Sequence, residues 1–327
     1  MLKIGVVGLG SMGKNHARVC SEIKDIDLVG VSDISRDVSE SIAGRFNTRS
    51  FLDYKELLPL VDAAIIATPT VHHHKIAMDF LDAGKHVLVE KPICNSIEKS
   101  QELVDKSEKE GLVLAVGHIE RHNPAVSFAK EALAKKQFGE LISLASKRVS
   151  NFPGRIRDVG VIFDFGVHDI DVMRYLAGDV VSVYARAGTF NKSIEYEDHA
   201  NIMLNFENGI CGVVEVNWLT PVKIRMLQLT CAENFVEVDY IDQAVTVSSS
   251  SYKQVDEMNL YNVPIQYNRN EVSLERKEPL WKEIMDFATA VENSSKPLVT
   301  GYDGLQAVKI AEAAQTSYKN GKEVKIL

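Results

Sequence analysis

Three sets of residues in this 327-residue chain have types and spacing suited to chemistry. The first is Glu90-Lys91-Pro92, which closes the apolar run Val87-Leu88-Val89. A strand there carries a cation to its C-terminal end, and the proline stops it. Ligands of an open parallel sheet bind just beyond the carboxyl ends of the strands. Lys91 is therefore expected beside a bound ligand, where a cation can act on a reacting oxygen. The second set is Asp164 and His168, in a run with Val161, Ile162, Phe165 and Val167. Residues four apart share a helix face, and apolar surroundings shift the pKa values of such groups. A histidine in that setting can take or give a proton near neutral pH. Taken alone, the pair also matches a buried, satisfied polar contact. The third set is Gly8-Leu9-Gly10-Ser11-Met12-Gly13, lying between a strand-like run and a helical stretch that begins at Lys14.

That third set is a G-x-G-x-x-G pattern. Its first glycine allows a tight turn, its second lets the backbone approach a pyrophosphate, and its third lets helix pack on strand. Asp33 lies twenty residues beyond Gly13, where an acid accepts hydrogen bonds from the adenosine ribose hydroxyls. The context predicts a dinucleotide. Asp33 favours NAD over NADP, because a carboxylate repels a 2′-phosphate. Arg36 is the residue that could accommodate such a phosphate, and it is equally a surface charge. Ala67-Thr68-Pro69 and the start of the next helix are expected beside the nicotinamide ribose, with His73 contacting neighbouring backbone. His72, His73 and His74 point in different directions on a helix and make a poor metal triad, so no metal is expected. The expected cofactor residues are Gly8, Gly10, Ser11, Met12, Gly13, Asp33, Arg36, Thr68, Pro69, His73, Glu90 and Lys91.

The elements that must position these residues are legible as two textures. Up to about residue 118, short apolar strands at 3–8, 27–32, 63–67, 86–89 and 113–117 alternate with amphipathic helical stretches. Apolar strands interleaved with helices predict a parallel sheet covered on both faces. Right-handed crossovers make it a doubly wound α/β Rossmann fold. After Asn123-Pro124 comes a helix at 125–136, then longer alternating strands at 141–149, 180–190, 199–206, 210–218, 225–231, 235–239 and 244–249. A helix at 161–176 interrupts this run, and Glu207-Asn208-Gly209 suits a hairpin. This predicts an α+β domain on a large, mostly antiparallel open sheet. The expected domains are 1–122 and 123–327, with helices at 280–293 and 302–319 in the second.

Bulk properties narrow the class. A net charge of −8 and no basic stripe argue against nucleic acid. No apolar run approaches the roughly 20 residues of a membrane span. Cys20, Cys94, Cys211 and Cys231 are scattered without a CxxC pair, as in buried thiols of a cytosolic protein. The start runs directly into a strand, so a cytoplasmic location without a signal peptide is expected.

Together, Gly8–Gly13, Ala67-Thr68-Pro69, Ala83-Gly84-Lys85-His86-Val87 leading into Glu90-Lys91-Pro92, and Asp164-x-Gly166-x-His168 resemble the Gfo/Idh/MocA family of nicotinamide-dependent sugar oxidoreductases. The resemblance covers the whole chain. It implies a Rossmann domain followed by a sheet domain that forms homodimers or homotetramers. It also implies Lys91 and His168 as a catalytic pair with Asp164 lining the site. Either Lys91 or His168 can be the base. Residues 116–124, with Arg121 and Asn123, and residues 164–176 look like the nucleotide-sugar branch, similar to UDP-N-acetylglucosamine 3-dehydrogenases. Arg155 and Arg157 precede the catalytic helix and suit a diphosphate or carboxylate, since arginine offers a bidentate fork. A dehydrogenase of a free sugar or polyol and a non-catalytic dinucleotide sensor are the competing readings.

Overall fold

The computed structural model describes residues 1–152, 159–252 and 265–326. The chain divides into two compact units. The first comprises Met1–His122 and Glu278–Glu312, the second Asn123–Lys277 and Ala313–Leu327.

In the first unit, β1 (Leu2–Val7), β2 (Ile26–Ser32), β3 (Arg49–Phe51), β4 (Ala63–Ile66), β5 (His86–Glu90) and β6 (Leu114–Gly117) form one sheet in the order β3-β2-β1-β4-β5-β6. Every pairing is parallel. The order turns back between β1 and β4, which is where ligands of such sheets bind. Helices α1 (Ser11–Glu22), α2 (Arg36–Phe46), α3 (His73–Asp82) and α4 (Ile97–Glu110) connect the strands. β4 is buried throughout, and β1 and β5 nearly so, because helices cover both faces. Strand β3 has no counterpart among the strands the sequence predicts. It is three residues at the sheet edge, half-exposed, with no apolar run to mark it. Helix α4 is capped at both ends. Ser96 accepts from the Lys99 amide at 3.3 Å, and Gly111 adopts φ +66°, a left-handed closure suited to glycine.

The second unit opens with α5 (Pro124–Ala134) and carries β7 (Leu141–Asn151), α6 (Val167–Ala177), β8 (Val180–Gly188), β9 (His199–Phe206), β10 (Cys211–Asn217), β11 (Leu219–Cys231), β12 (Phe235–Asp239), β13 (Ala244–Tyr252), β14 (Ile265–Val272) and β15 (Val324–Lys325). The nine strands run β14-β13-β12-β11-β7-β10-β9-β8-β15. Only β7 and β10 pair in parallel; the other pairings are antiparallel. Along β9, Ala200, Ile202, Leu204 and Phe206 point into the core, while Asn201 and Met203 face out. This is the period-2 alternation of a sheet with one covered face. The hairpin expected at Asn208-Gly209 joins β9 to β10, with Gly209 at φ +83°. Strand β14 was not expected. Its sequence, Ile-Gln-Tyr-Asn-Arg-Asn-Glu-Val, is mostly polar, and it lies at the sheet edge against β13 alone.

The division of the C-terminal region differs from the sequence expectation. Helix α7 (Pro279–Glu292) groups with the first unit. Its residues Leu280, Ile284, Phe287, Ala288 and Ala290 share one buried cluster with Ala17, Cys20, Ile4 and Ile65. The following helix, α8 (Gly301–Asn320), begins against β6. A Cβ on Gly304 would lie 2.7 Å from Val116 Cγ2. The boundary between units then falls within α8. An amphipathic pattern shows that a helix buries a face but not which sheet receives it, so sequence order alone does not assign α7 or the first part of α8 to the first unit. Among the described residues no helix is long and apolar enough to cross a membrane.

Candidate active site

In the first unit, the turn after β1 has the geometry its glycines imply. Gly8 sits at φ +85°, and a Cβ there would lie 2.7 Å from Thr68 Cγ2. A Cβ on Gly13 would overlap the Gly8 carbonyl oxygen outright, whereas one on Gly10 would meet nothing within 4 Å. So Gly8 and Gly13 are glycine for internal packing, and Gly10 faces open space. Helix α1 begins at that opening with no side-chain cap and no acid in its first turn. Its first amides and its dipole are left for an anion. Ser11 is exposed and Met12 half-buried at this end. These features fit a dinucleotide pyrophosphate.

Asp33 stands at the end of β2. One carboxylate oxygen accepts from the Leu9 amide at 2.8 Å and the other from the Ser35 amide at 2.9 Å. These bonds aim the carboxylate beside the turn, and it keeps acceptor capacity for a ribose, since a carboxylate has about four lone-pair sites. Arg36 is exposed and pairs with Glu40 at 3.3 Å on the same helix. Such exposed pairs hold a side chain weakly.

His73 is buried. Its Nδ1 lies 3.0 Å from the Pro92 carbonyl oxygen and its Nε2 2.8 Å from that of Thr68. The imidazole sits between the turn after β4 and the turn after β5, and its neutral form donates to one of the two carbonyls. Burial holds its pKa below the usual value, against the two carbonyls and Glu90, which favour the protonated form. His72 is exposed and His74 reaches Glu102 at 2.7 Å, so the three histidines diverge. Pro69 is exposed beside Thr68.

Lys91 follows β5, half-buried, with a cis peptide to Pro92. Its amide donates to Glu90 Oε2 at 3.1 Å. Glu90 is itself buried, and its Oε1 lies 2.8 Å from His16 Nε2. Burial pushes the Glu90 carboxyl up, but the His16 hydrogen bond and the nearby Lys91 overcome it and hold the group below the carboxylate range.

In the second unit, Asp164 lies in a π turn, Ile162–Gly166, that leads into α6. Such turns are rare and occur often at functional sites. Sequence reading expected an ordinary helix from residue 161. Asp164 is buried and His168 is half-buried one turn on. Glu197 anchors this start. Its backbone oxygen accepts from Val161 at 2.9 Å, and its carboxylate accepts from the Ile162 amide at 3.3 Å and from Gln315 at 3.4 Å. A Cβ on Gly160 would strike that carboxylate, so only glycine fits there. Phe165 packs edge-on against Trp218 at 6.3 Å. One residue past His168, Asp169 is fully buried and accepts from Arg148 of β7 at 2.6 Å. The Arg148 guanidinium also lies over the Tyr240 ring, 5.1 Å from its centre.

Two residues expected at the substrate have partners inside their own units. Arg121 is buried, pairs with Asp303 at 3.1 Å and donates to the Leu298 carbonyl. Asn123 caps α5 by accepting from Ala125 and donates to the Tyr240 carbonyl at 3.0 Å. Arg155 and Arg157 lie outside the described residues. His16, Arg148, Glu197 and Glu283 escaped sequence reading. Only His16 gave a signal there, a histidine three residues past Gly13 on the face shared with Cys20.

Comparison with known proteins agrees with this architecture. Residues 2–118 match the oxidoreductase family with an NAD-binding Rossmann fold, and residues 126–236 match the GFO/IDH/MocA C-terminal domain. The UDP-N-acetylglucosamine 3-dehydrogenase of Acidithiobacillus ferrooxidans is 28% identical over 96% of this chain and 95% of its own. Its solved structure superposes with a TM-score of 0.86 at 26% identity, covering 98% of each chain. The oxidoreductase YrbE of Bacillus subtilis is 30% identical over 98% of this chain and 96% of its own. The scyllo-inositol 2-dehydrogenase (NAD+) of the same organism is 28% identical over 99% of this chain and 96% of its own. With a uncapped α1 behind an open glycine turn, two units of the matching kinds and relatives along its full length, the chain belongs to the Gfo/Idh/MocA family of NAD-dependent oxidoreductases.

Proposed function

We propose that this chain oxidises the 3-hydroxyl of a UDP-N-acetylhexosamine. The observation that carries the reading is the likeness, over nearly the full length of both chains, to a UDP-N-acetylglucosamine 3-dehydrogenase. The Gly8–Gly13 turn, the amides of α1 and Asp33 would hold NAD, which would supply the hydride acceptor for the sugar carbon. His168 takes the hydroxyl proton. Lys91 hydrogen-bonds the oxygen and stabilises its developing negative charge. Asp164 orients a substrate hydroxyl. Arg155 and Arg157 bind the diphosphate as a bidentate pair.

The proton roles of His168 and Lys91 can be exchanged, since a desolvated lysine also serves as a base. The first test is Lys91→Met with NAD and UDP-N-acetylglucosamine. It should bind NAD yet lose turnover by about two to four orders of magnitude; full activity would end the proposal. A second reading, a free polyol as substrate, is favoured by the inositol dehydrogenase likeness. Thermal shift separates the two, because a ligand that binds only the native state raises its stability. UDP-sugars should shift the midpoint in the presence of NAD, and free inositols should not. The chain assembles as a homodimer or homotetramer through the second-unit sheet. Ile142, Met203 and Val213 are exposed on its strands, an apolar surface that a second copy would cover.

A further inference from the structure

Beneath the Lys91 turn lies a cluster that the proposed reaction leaves unused. His16 of α1, Glu90 of β5 and Glu283 of α7 are all buried, and each offers a nitrogen or oxygen within 4.8 Å of the others. His16 and Glu90 are bonded to each other, and Glu90 also receives the Lys91 amide. Both Glu283 oxygens are buried with no hydrogen-bond partner. A carboxylate in that position would face the Glu90 carboxylate at close range in a low dielectric, which is strongly unfavourable. Two species relieve this, a proton or a metal cation. Three donors are fewer than the four a structural zinc takes, and His16 Nε2 is already spent on Glu90 at hydrogen-bond distance. The proton is the simpler occupant.

We propose that Glu283 is a positioning residue for Lys91: a buried carboxylic acid that donates toward Glu90 and, with His16, fixes the Glu90 carboxylate on the Lys91 amide. A side-chain rotation or one bridging water closes the span. The charges that act on Glu283 agree. Burial raises its pKa well above the usual carboxylate value, and Glu90 and Asp286 raise it further. Helix α7 also packs on α1 and on the turn of residues 119–122. The cation in that turn, Arg121, is paired with Asp303. The role of Glu283 rests on reading Lys91 as catalytic; the proton itself does not.

The experiment uses full-length protein with three readouts. Infrared difference spectra of wild type against Glu283→Gln should show a protonated-carboxyl band in the wild type at neutral pH. An acid whose folded pKa is raised stabilises fully below its unfolded pKa and loses that contribution as pH rises through the folded one. Wild type should therefore lose stability relative to Glu283→Gln as pH climbs above the ordinary 4.5. With UDP-N-acetylglucosamine and NAD, Glu283→Leu, which has no donor, should lose about 10- to 100-fold in kcat while still binding NAD. Glu283→Gln, which keeps a donor, should rescue most of that loss. No carboxyl band, a stability difference independent of pH, or equimolar divalent metal by elemental analysis would overturn the proposal. So would a leucine variant with wild-type kcat. Full turnover in Lys91→Met would instead overturn the catalytic reading and leave the carboxyl band in place.

Discussion

Replacing Arg148 with methionine tests how the second unit holds its candidate helix. Arg148 and Asp169 are each essentially inaccessible to solvent, with side-chain exposures of 1% and 0%, and lie 2.6 Å apart. Methionine has similar length and no charge, so the change leaves the Asp169 carboxylate buried without its cation. Breaking a buried pair from one side costs about 3–5 kcal/mol. For a unit of this size, each kcal/mol lowers the melting temperature by roughly 2–4 °C, which gives a drop of roughly 6–20 °C. The double variant Arg148→Met, Asp169→Leu removes both charges and should recover most of that loss. Circular-dichroism melts of the three proteins at pH 7 measure it. A carboxylate stranded in the single variant is disfavoured as the charged form, so its deficit should shrink toward acid pH. Because Asp169 neighbours His168, turnover of the single variant should fall below that of the double. A single variant costing under about 1 kcal/mol, the range of exposed pairs, would refute the reasoning. So would a double variant as unstable as the single.

Four further outcomes follow. Gly13→Ala forces the Gly8 carbonyl to move and should abolish NAD binding by calorimetry, while far-ultraviolet circular dichroism stays native. Asp33→Ser removes the carboxylate that receives the Leu9 amide; the ratio of kcat/KM for NAD over NADP should fall by about tenfold or more, the equivalent of 1.4 kcal/mol. Burial pushes the Cys20 thiol from 9.0 up to about 12. A raised folded pKa contributes stability fully below the unfolded value and loses it as pH rises through the folded one. Urea midpoints should then fall between pH 9 and 12, and less so in Cys20→Ala. At pH 8, iodoacetamide should label the half-buried Cys211 before the buried Cys20, Cys94 and Cys231, as peptide mass spectrometry would record.

Much of the first unit was legible because its constraints are local. The φ of +85° at Gly8 and the close approach of Gly13 to the Gly8 carbonyl both lie within one turn, and Asp33 follows at a distance set by one helix and one strand. The Glu90-Lys91-Pro92 ending was legible from the apolar run before it. Partners distant in sequence were not. Arg121 pairs with Asp303, 182 positions away, and no local pattern distinguishes that arginine from one waiting for substrate. The same holds for Asn123 against Tyr240 and for Glu283 against Glu90. The π turn at Asp164 escaped because residues 160–167 are buried on every side, which leaves no amphipathic spacing for an added residue to disturb. Strand β14 escaped because an edge with polar side chains lacks the alternation that marks a half-buried strand.

The first unit is built from two stretches of chain separated by 155 residues of the second. On a ribosome, residues 1–122 emerge long before α7. Until then, the surface of α1 that receives Ile284 and Phe287 has no cover. Domains generally fold as they emerge, from the N-terminal side. This one must wait, half assembled, while the intervening sheet is synthesised. A nascent chain halted near residue 270 should therefore remain open to protease in its Rossmann half and gain resistance only when the α7 sequence clears the exit tunnel.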